Sequence, residues 1–217
     1  NIRRALEFLI ATNLSEIGVG LVEAVHGPGE LESPMELLWI NLVSDVLPGL
    51  GLALADPDPD AMTRPPRAAD QAVIPRDHVR RIALDSGTIA ASALVPHFIG
   101  LARFGPGPET RAMTFLSLSL GQLLYALTCQ RSDLRKLRMG HLLENRTLDG
   151  ALLASAGLAV TPFFVPPLRR LLGIAPLGPG PAAVALAGAA AAAAIALERR
   201  GVSLGPETLE GRACETS

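Results

Sequence analysis

Two short stretches place oxygen-bearing side chains inside otherwise apolar runs: NLSE, with Asn13 and Glu16, and LLWINLVSD, with Asn41, Ser44 and Asp45. Asn13 and Glu16 are three residues apart, and Asn41, Ser44 and Asp45 fall at i, i+3 and i+4. On helices each set therefore shares a face. A carboxylate in a stretch fit for lipid costs about 3 kcal/mol on insertion-based scales unless it meets water, a partner or a cation. Pairing the two helices gives two carboxylates, two amide carbonyls and one hydroxyl. An oxygen-only set suits Ca²⁺, Mg²⁺, Mn²⁺ or alkali cations and disfavours Cu⁺ and Zn²⁺. A hydrogen-bonded network gluing two helices through protonated acids is the alternative that the same residues allow.

The elements that must carry these groups are membrane-spanning helices. Hydrophobic residues make up 49% of the 217 and charged residues 18%, and the charges gather between apolar stretches of about 20 residues, the length that crosses a bilayer. Six such spans are expected, at Ala5–Val25, Met35–Ala55, Ile82–Ala102, Ala112–Cys129, Leu148–Leu168 and Ala182–Leu197. The fold class is thus all-α, a polytopic bundle of six transmembrane helices filling residues 1–200, with a polar cytoplasmic tail over 201–217. With the first residue inside, the outer loops keep only Arg103, Arg111, Arg169 and Arg170 of the 19 basic residues, as the positive-inside bias requires. The sixth span is mostly alanine and has to lean on its neighbours. Pro48, Gly49 and Gly51 follow Asp45 closely, and a proline there loosens the helix and frees carbonyls beside the carboxylate.

Other polar residues carry less. Glu23 near the outer end of the first span and Asp85 near the inner end of the third, beside Arg81, are expected to reach water. His97 follows Pro96 and is expected to make a helix-packing hydrogen bond. Gln122 in the fourth span faces either the ion site or a neighbouring helix. Cys129 and Cys214 both fall on the cytoplasmic side, which suggests neither a disulfide framework nor a metal cluster. The arginines lack interleaved aromatics, so no nucleic-acid partner is expected. The loop Asp56–Arg81 is long and basic, Gln130–Asn145 is expected to form a cytoplasmic surface helix, and Val165–Pro181 carries five prolines that end the fifth span. No internal repeat supports an inverted-repeat carrier. The chain begins at Asn1 without a signal-peptide pattern and is expected to be cut from something longer.

These stretches resemble the C-terminal membrane region of P-type cation-transporting ATPases, the calcium-pump-like branch. NIRRALEFLIATNLSE resembles the end of the stalk and the fifth membrane helix. LLWINLVSDVLPGLGLALADPDPDAMTRPPR, the most specific part, resembles the sixth helix and its following loop. VPPLRRLLGIAPL and the terminal ALERR resemble the ninth-to-tenth helix region. The six spans would then be helices five to ten of a ten-helix pump.

The resemblance implies ion ligands at Asn13 and Glu16 of the fifth helix and at Asn41, Ser44 and Asp45 of the sixth, with serine where calcium pumps usually have threonine. It also implies Gln122 of the eighth helix, where the two-site reticulum pump has a glutamate and plasma-membrane pumps a glutamine. It implies a transported cation, most simply one Ca²⁺ per cycle with proton counter-transport. The loop Asp56–Arg67 would contact the phosphorylation domain. Mg²⁺ and ATP would act only through catalytic domains that this chain lacks, since it has no DKTGT motif, no nucleotide-binding domain and no fourth helix. The implied partners are the bilayer, the N-terminal helices and the cytoplasmic ATPase domains, in a bacterial plasma membrane suggested by 18 arginines against one lysine. A pump for Mg²⁺, Mn²⁺ or a monovalent cation, a secondary carrier, or a non-catalytic membrane assembly or regulatory protein stand as alternatives.

Overall fold

The computed structural model of the chain describes residues 2–26, 33–55, 74–130 and 146–202. Among the described residues eight α-helices run in order: α1 (Ile2–His26), α2 (Pro34–Ile40), α3 (Leu47–Ala53), α4 (Arg76–Phe104), α5 (Pro108–Gln130), α6 (Arg146–Phe164), α7 (Pro166–Leu172) and α8 (Pro179–Val202). A π-helical segment, Asn41–Val46, joins α2 to α3. Six helices or helix runs among the described residues are long and apolar enough to cross a membrane, the second of them being the composite Pro34–Ala53. Among the described residues there is no strand. The expected all-α membrane bundle is the architecture found, and the chain is an integral membrane protein.

α5 is the axis of the bundle. In its span 83% of the most apolar window is buried, against 22% for α8 and 28% for α6, so only α5 is enclosed on nearly every side. It packs on α1, α4, α6 and α8, and its sequence TFLSLSLGQLLYALT explains why. Small and hydroxylated residues let neighbouring backbones approach closely where lipid gives no hydrophobic drive for helix association. On the periphery, Leu14, Ile17, Leu21 and Val25 of α1 and Leu38, Leu42, Val46, Leu50 and Leu54 of the second span lie exposed as apolar ridges.

Two prolines decide local geometry. Pro96 lies inside α4, where its missing N–H leaves the Ser92 carbonyl without its helical donor. The Ser117 hydroxyl of α5 donates to that carbonyl at 2.7 Å, and Gly188 of α8 packs so close that a Cβ there would lie 2.6 Å from the same oxygen. Hydroxyls on neighbouring helices satisfying a proline's orphaned carbonyl are how a membrane helix tolerates the kink. At the other proline site, Pro166 forces Val165 into an extended conformation, φ −103° and ψ 102°, so the fifth span ends at Phe164 and a separate α7 follows. The expected boundary at Leu168 is thereby corrected. The sixth span, by contrast, is longer than its alanine core, because Pro179 and Pro181 fit the first turn of α8.

Charged residues at the helix ends tie the bundle together. Asp85 is fully buried; it accepts from the Tyr125 hydroxyl at 3.1 Å and pairs with Arg199 of α8 at 3.4 Å. This corrects the expectation that Asp85 reaches water beside Arg81. Arg81 instead donates to Glu7 of α1 at 2.9 Å, because α1 packs along the α4 face that carries it. Towards the other ends, Ser33 and Glu36 form a reciprocal capping box at the start of α2. Arg111 of α5 binds the buried Glu36 carboxylate at 2.6 Å and the Leu172 carbonyl at 3.2 Å. His97 contacts the Thr114 hydroxyl at 3.1 Å, the packing hydrogen bond expected of it. Cys129 is buried in the bundle. The Glu23 side chain, the loop Asp56–Arg67, residues 131–145, Cys214 and the tail from 203 lie outside the described residues.

Candidate cation site

Apolar periodicity makes α1 and the second span helices, and the short connection between them makes them antiparallel neighbours. That brings two carboxylates to similar depth. Asp45 is held by α1 through both of its oxygens: the Thr12 hydroxyl donates to Oδ1 and the Asn13 amide to Oδ2, each at 2.9 Å. Glu16, one turn further along α1, accepts from the Gln122 amide of α5 at 3.0 Å. The Asn41 side chain is also a hydrogen-bond partner of Glu16, and Glu16 and Asp45 are close enough to repel when both are charged. A cation between them removes that repulsion.

Five of the six residues picked out by sequence come together, in two linked groups: Asn13 with Asp45, and Glu16 with Asn41 and Gln122. Ser44 stands apart from both. It is fully buried, and its hydroxyl has no partner. The expected common face of Asn41, Ser44 and Asp45 is redrawn by the π-helical turn. Its i→i+5 spacing widens the helix where all three sit, as such turns often do at functional sites. Pro48 adds to this, because it has no N–H to give to the carbonyls of Val43 or Ser44.

Oxygens suited to a hard cation are therefore present: two carboxylates, the Ser44 hydroxyl and the Gln122 carbonyl, the last two buried without a hydrogen-bond partner. No cluster of three or more His, Cys, Asp or Glu side chains occurs among the described residues. The donors are amides and hydroxyls gathered around two acids, which fits an oxygen-preferring ion and not a thiolate- or imidazole-bound one. Thr12 was missed by sequence reasoning. It looks like part of an apolar run, and its i, i+4 relation to Glu16 was the available signal.

The profile of the family described as "Cation transporting ATPase, C-terminus" matches residues 33–200, which includes the π turn, Asp45 and Gln122. The chain belongs to this family. Among relatives of the ATPase region, the Calcium-transporting ATPase of Bacillus subtilis (strain 168) is 30% identical over 182 residues, 83% of this chain and 20% of that protein. Calcium-transporting ATPase type 2C member 2 of Homo sapiens is 27% identical over 180 residues, 82% of the chain and 19% of the relative. Calcium-transporting ATPase 1 of Bacillus cereus (strain ATCC 10987 / NRS 248) is 27% identical over 191 residues, covering 80% and 21%. The ATPase region described here spans about a fifth of the length of the curated relatives it matches. The resemblance drawn from NLSE and LLWINLVSD is therefore the family found.

Proposed function

We propose that this chain is the ion pathway of an ATP-driven pump whose cargo is Ca²⁺, with Asn13, Glu16, Asn41, Ser44, Asp45 and Gln122 as ligands. The observation that carries the reading is the approach of Glu16 and Asp45 across α1 and the π turn, with Gln122 bound to Glu16 and its carbonyl oxygen, like the hydroxyl of Ser44 next to Asp45 in sequence, buried and unpartnered. The similarity to proteins named as calcium-transporting ATPases supports Ca²⁺ over Mg²⁺ or Mn²⁺. ATP and Mg²⁺ act in domains outside this chain, and phosphorylation there shifts the helices so that the two acids exchange one side of the membrane for the other. On release the acids take protons, since two charged and unaccompanied carboxylates within the bilayer are costly. The bacterial plasma membrane is the proposed location.

The test is ATP hydrolysis by the full-length parent enzyme, titrated with Ca²⁺, Mg²⁺ alone, Mn²⁺ and K⁺, beside Asp45→Asn and Gln122→Ala. Activation by Ca²⁺ that is abolished in Asp45→Asn and weakened in Gln122→Ala is the expected result. Activation by another ion alone overturns the cargo, and a cation response unchanged in Asp45→Asn overturns the site.

A further inference from the structure

Glu36 opens the second span with a fully buried carboxylate, and Arg111 meets it from the first turn of α5. One guanidinium nitrogen, Nη2, carries the whole link: it donates to Glu36 Oε2 at 2.6 Å and to the Leu172 carbonyl at 3.2 Å. Ser33 closes the ring. Its backbone N–H donates to the same Glu36 oxygen, and its hydroxyl donates to the Leu172 carbonyl at 3.4 Å. α7 stops there because Gly173 turns left-handed, φ 70° and ψ 25°, and a Cβ on it would lie 3.3 Å from the Arg111 guanidinium. The starts of α2 and α5 and the end of α7 are thus joined at one point. Glu36 Oε1 and Arg111 Nε are buried there with no partner among the described residues, so the pair is one bond short of a two-bond fork.

Both helices run inward from this clamp towards candidate ligands. Along the second span Glu36, Ile40 and Ser44 recur every four residues, and all three are at 0% exposure. Along α5 Arg111, Phe115, Leu118 and Gln122 follow at the four- and three-residue steps of one helix face, the last three fully buried. At 1.5 Å per residue Ser44 lies about 12 Å from Glu36, and Gln122 about 16 Å from Arg111. The second span packs on α5 through α2, the π turn and α3. The candidate site depends on that register, because Glu16 has Gln122 of one helix and Asn41 of the other as partners. The middle of the second span cannot hold it alone, since the π turn and Pro48 interrupt regular helical bonding there. Its inner end, where a Cβ on Gly51 would lie 3.2 Å from Leu148 Cα, is fixed against α6.

We propose that Arg111 and Glu36 are positioning residues of the cation site. Their bond sets the register of the second span against α5, and so where Asn41 and Ser44 stand relative to Gln122. The inference rests on the proposed reading of those three residues as cation ligands. Loss of Arg111 alone strands a buried charge and costs stability, whereas a neutral pair removes both charges and keeps the packing. Glutamine at position 36 also retains an acceptor for the capping box. Lysine at position 111 is a second discriminator. One nitrogen makes both bonds, so an ammonium can replace it, which it cannot do at a bidentate fork.

The test is Ca²⁺ titration of ATP hydrolysis by the full-length parent enzyme, with thermal unfolding measured on the same preparations. The double variant Glu36→Gln/Arg111→Met is expected to raise the half-activating Ca²⁺ concentration about tenfold, with the rate at saturating Ca²⁺ and the unfolding transition retained. Arg111→Lys is expected to keep the wild-type value. If the double variant does not fold, Glu36→Gln alone takes its place, with an expected rise of about threefold. Wild-type half-activation in the double variant, or in Glu36→Gln where that replaces it, overturns the proposal. So does a shift in Arg111→Lys as large as that of the double variant, because packing and not the bond then sets the affinity. Asp45→Asn, run alongside, separates the two readings. Abolished Ca²⁺ activation there with an unshifted clamp variant overturns the positioning role alone, and unchanged activation there overturns the ligand reading on which it rests.

Discussion

The hydroxyl of Thr12 lies 2.9 Å from Oδ1 of Asp45, a bond between residues 33 apart in sequence that orients the carboxylate while Asn13 takes its other oxygen. Thr12 also sits within 3.2 Å of the Phe8 carbonyl, so its rotamer is set by α1 itself. A hydrogen bond to a charged group contributes about 1.5–3 kcal/mol. Thr12→Val keeps the shape and removes the donor. Its expected effect in the full-length enzyme is a rise of about tenfold or more in the half-activating cation concentration, with Thr12→Ser close to wild type. Cation titration of ATP hydrolysis checks it, and equal affinities in Val and Ser variants refute the orienting role.

Ser117 and Pro96 form a linked pair through the Ser92 carbonyl. Ser117→Ala leaves that buried oxygen without its 2.7 Å donor and is expected to lower stability by about 1–3 kcal/mol. In a Pro96→Ala background the restored backbone N–H takes over the carbonyl, so the same serine change costs less. Detergent unfolding of the two single variants and the double variant measures the coupling.

Gly188 marks where α8 meets α4 and α5 most closely. A methyl there would lie 2.6 Å from Ser92 O and 2.9 Å from both Pro96 Cγ and Ser117 Oγ, so α8 must shift outward. Gly188→Ala is expected to destabilise by about 1–3 kcal/mol. Gly157→Ala on α6, where nothing lies within 4 Å, is expected to be neutral or to stabilise by up to about 1 kcal/mol. Paired thermal melts decide between this and a simple helix-propensity effect, which would stabilise both.

Arg199 donates to the Leu84 carbonyl and to the Thr88 hydroxyl, both at 2.8 Å, as well as pairing with the buried Asp85. Arg199→Ala takes the guanidinium from a fully buried carboxylate and is expected to cost on the order of 3 kcal/mol. Adding Asp85→Asn is expected to recover part of that loss, since the uncompensated charge is then gone. Denaturant unfolding of the single and double variants tests it; additive losses rule out a charge-pair origin.

The sequence by itself determined the six spans and five of the six proposed ligands, because burying backbone polar groups in lipid leaves the helix as the local solution and makes each buried acid conspicuous. Composition and spacing carry that information without any tertiary contact. The partner of each polar group was decided only in three dimensions. Arg81 lies four residues from Asp85 yet binds Glu7, while Asp85 takes Arg199 from the far end of the chain. Thr12 joins Asp45 only because α1 and the π turn run side by side. The π turn itself has no periodicity signature, since an extra residue in one turn leaves the apolar pattern almost unchanged. Helix formation is local and reads out along the chain; which hydroxyl meets which carboxylate depends on the register between helices, which packing around α5 sets.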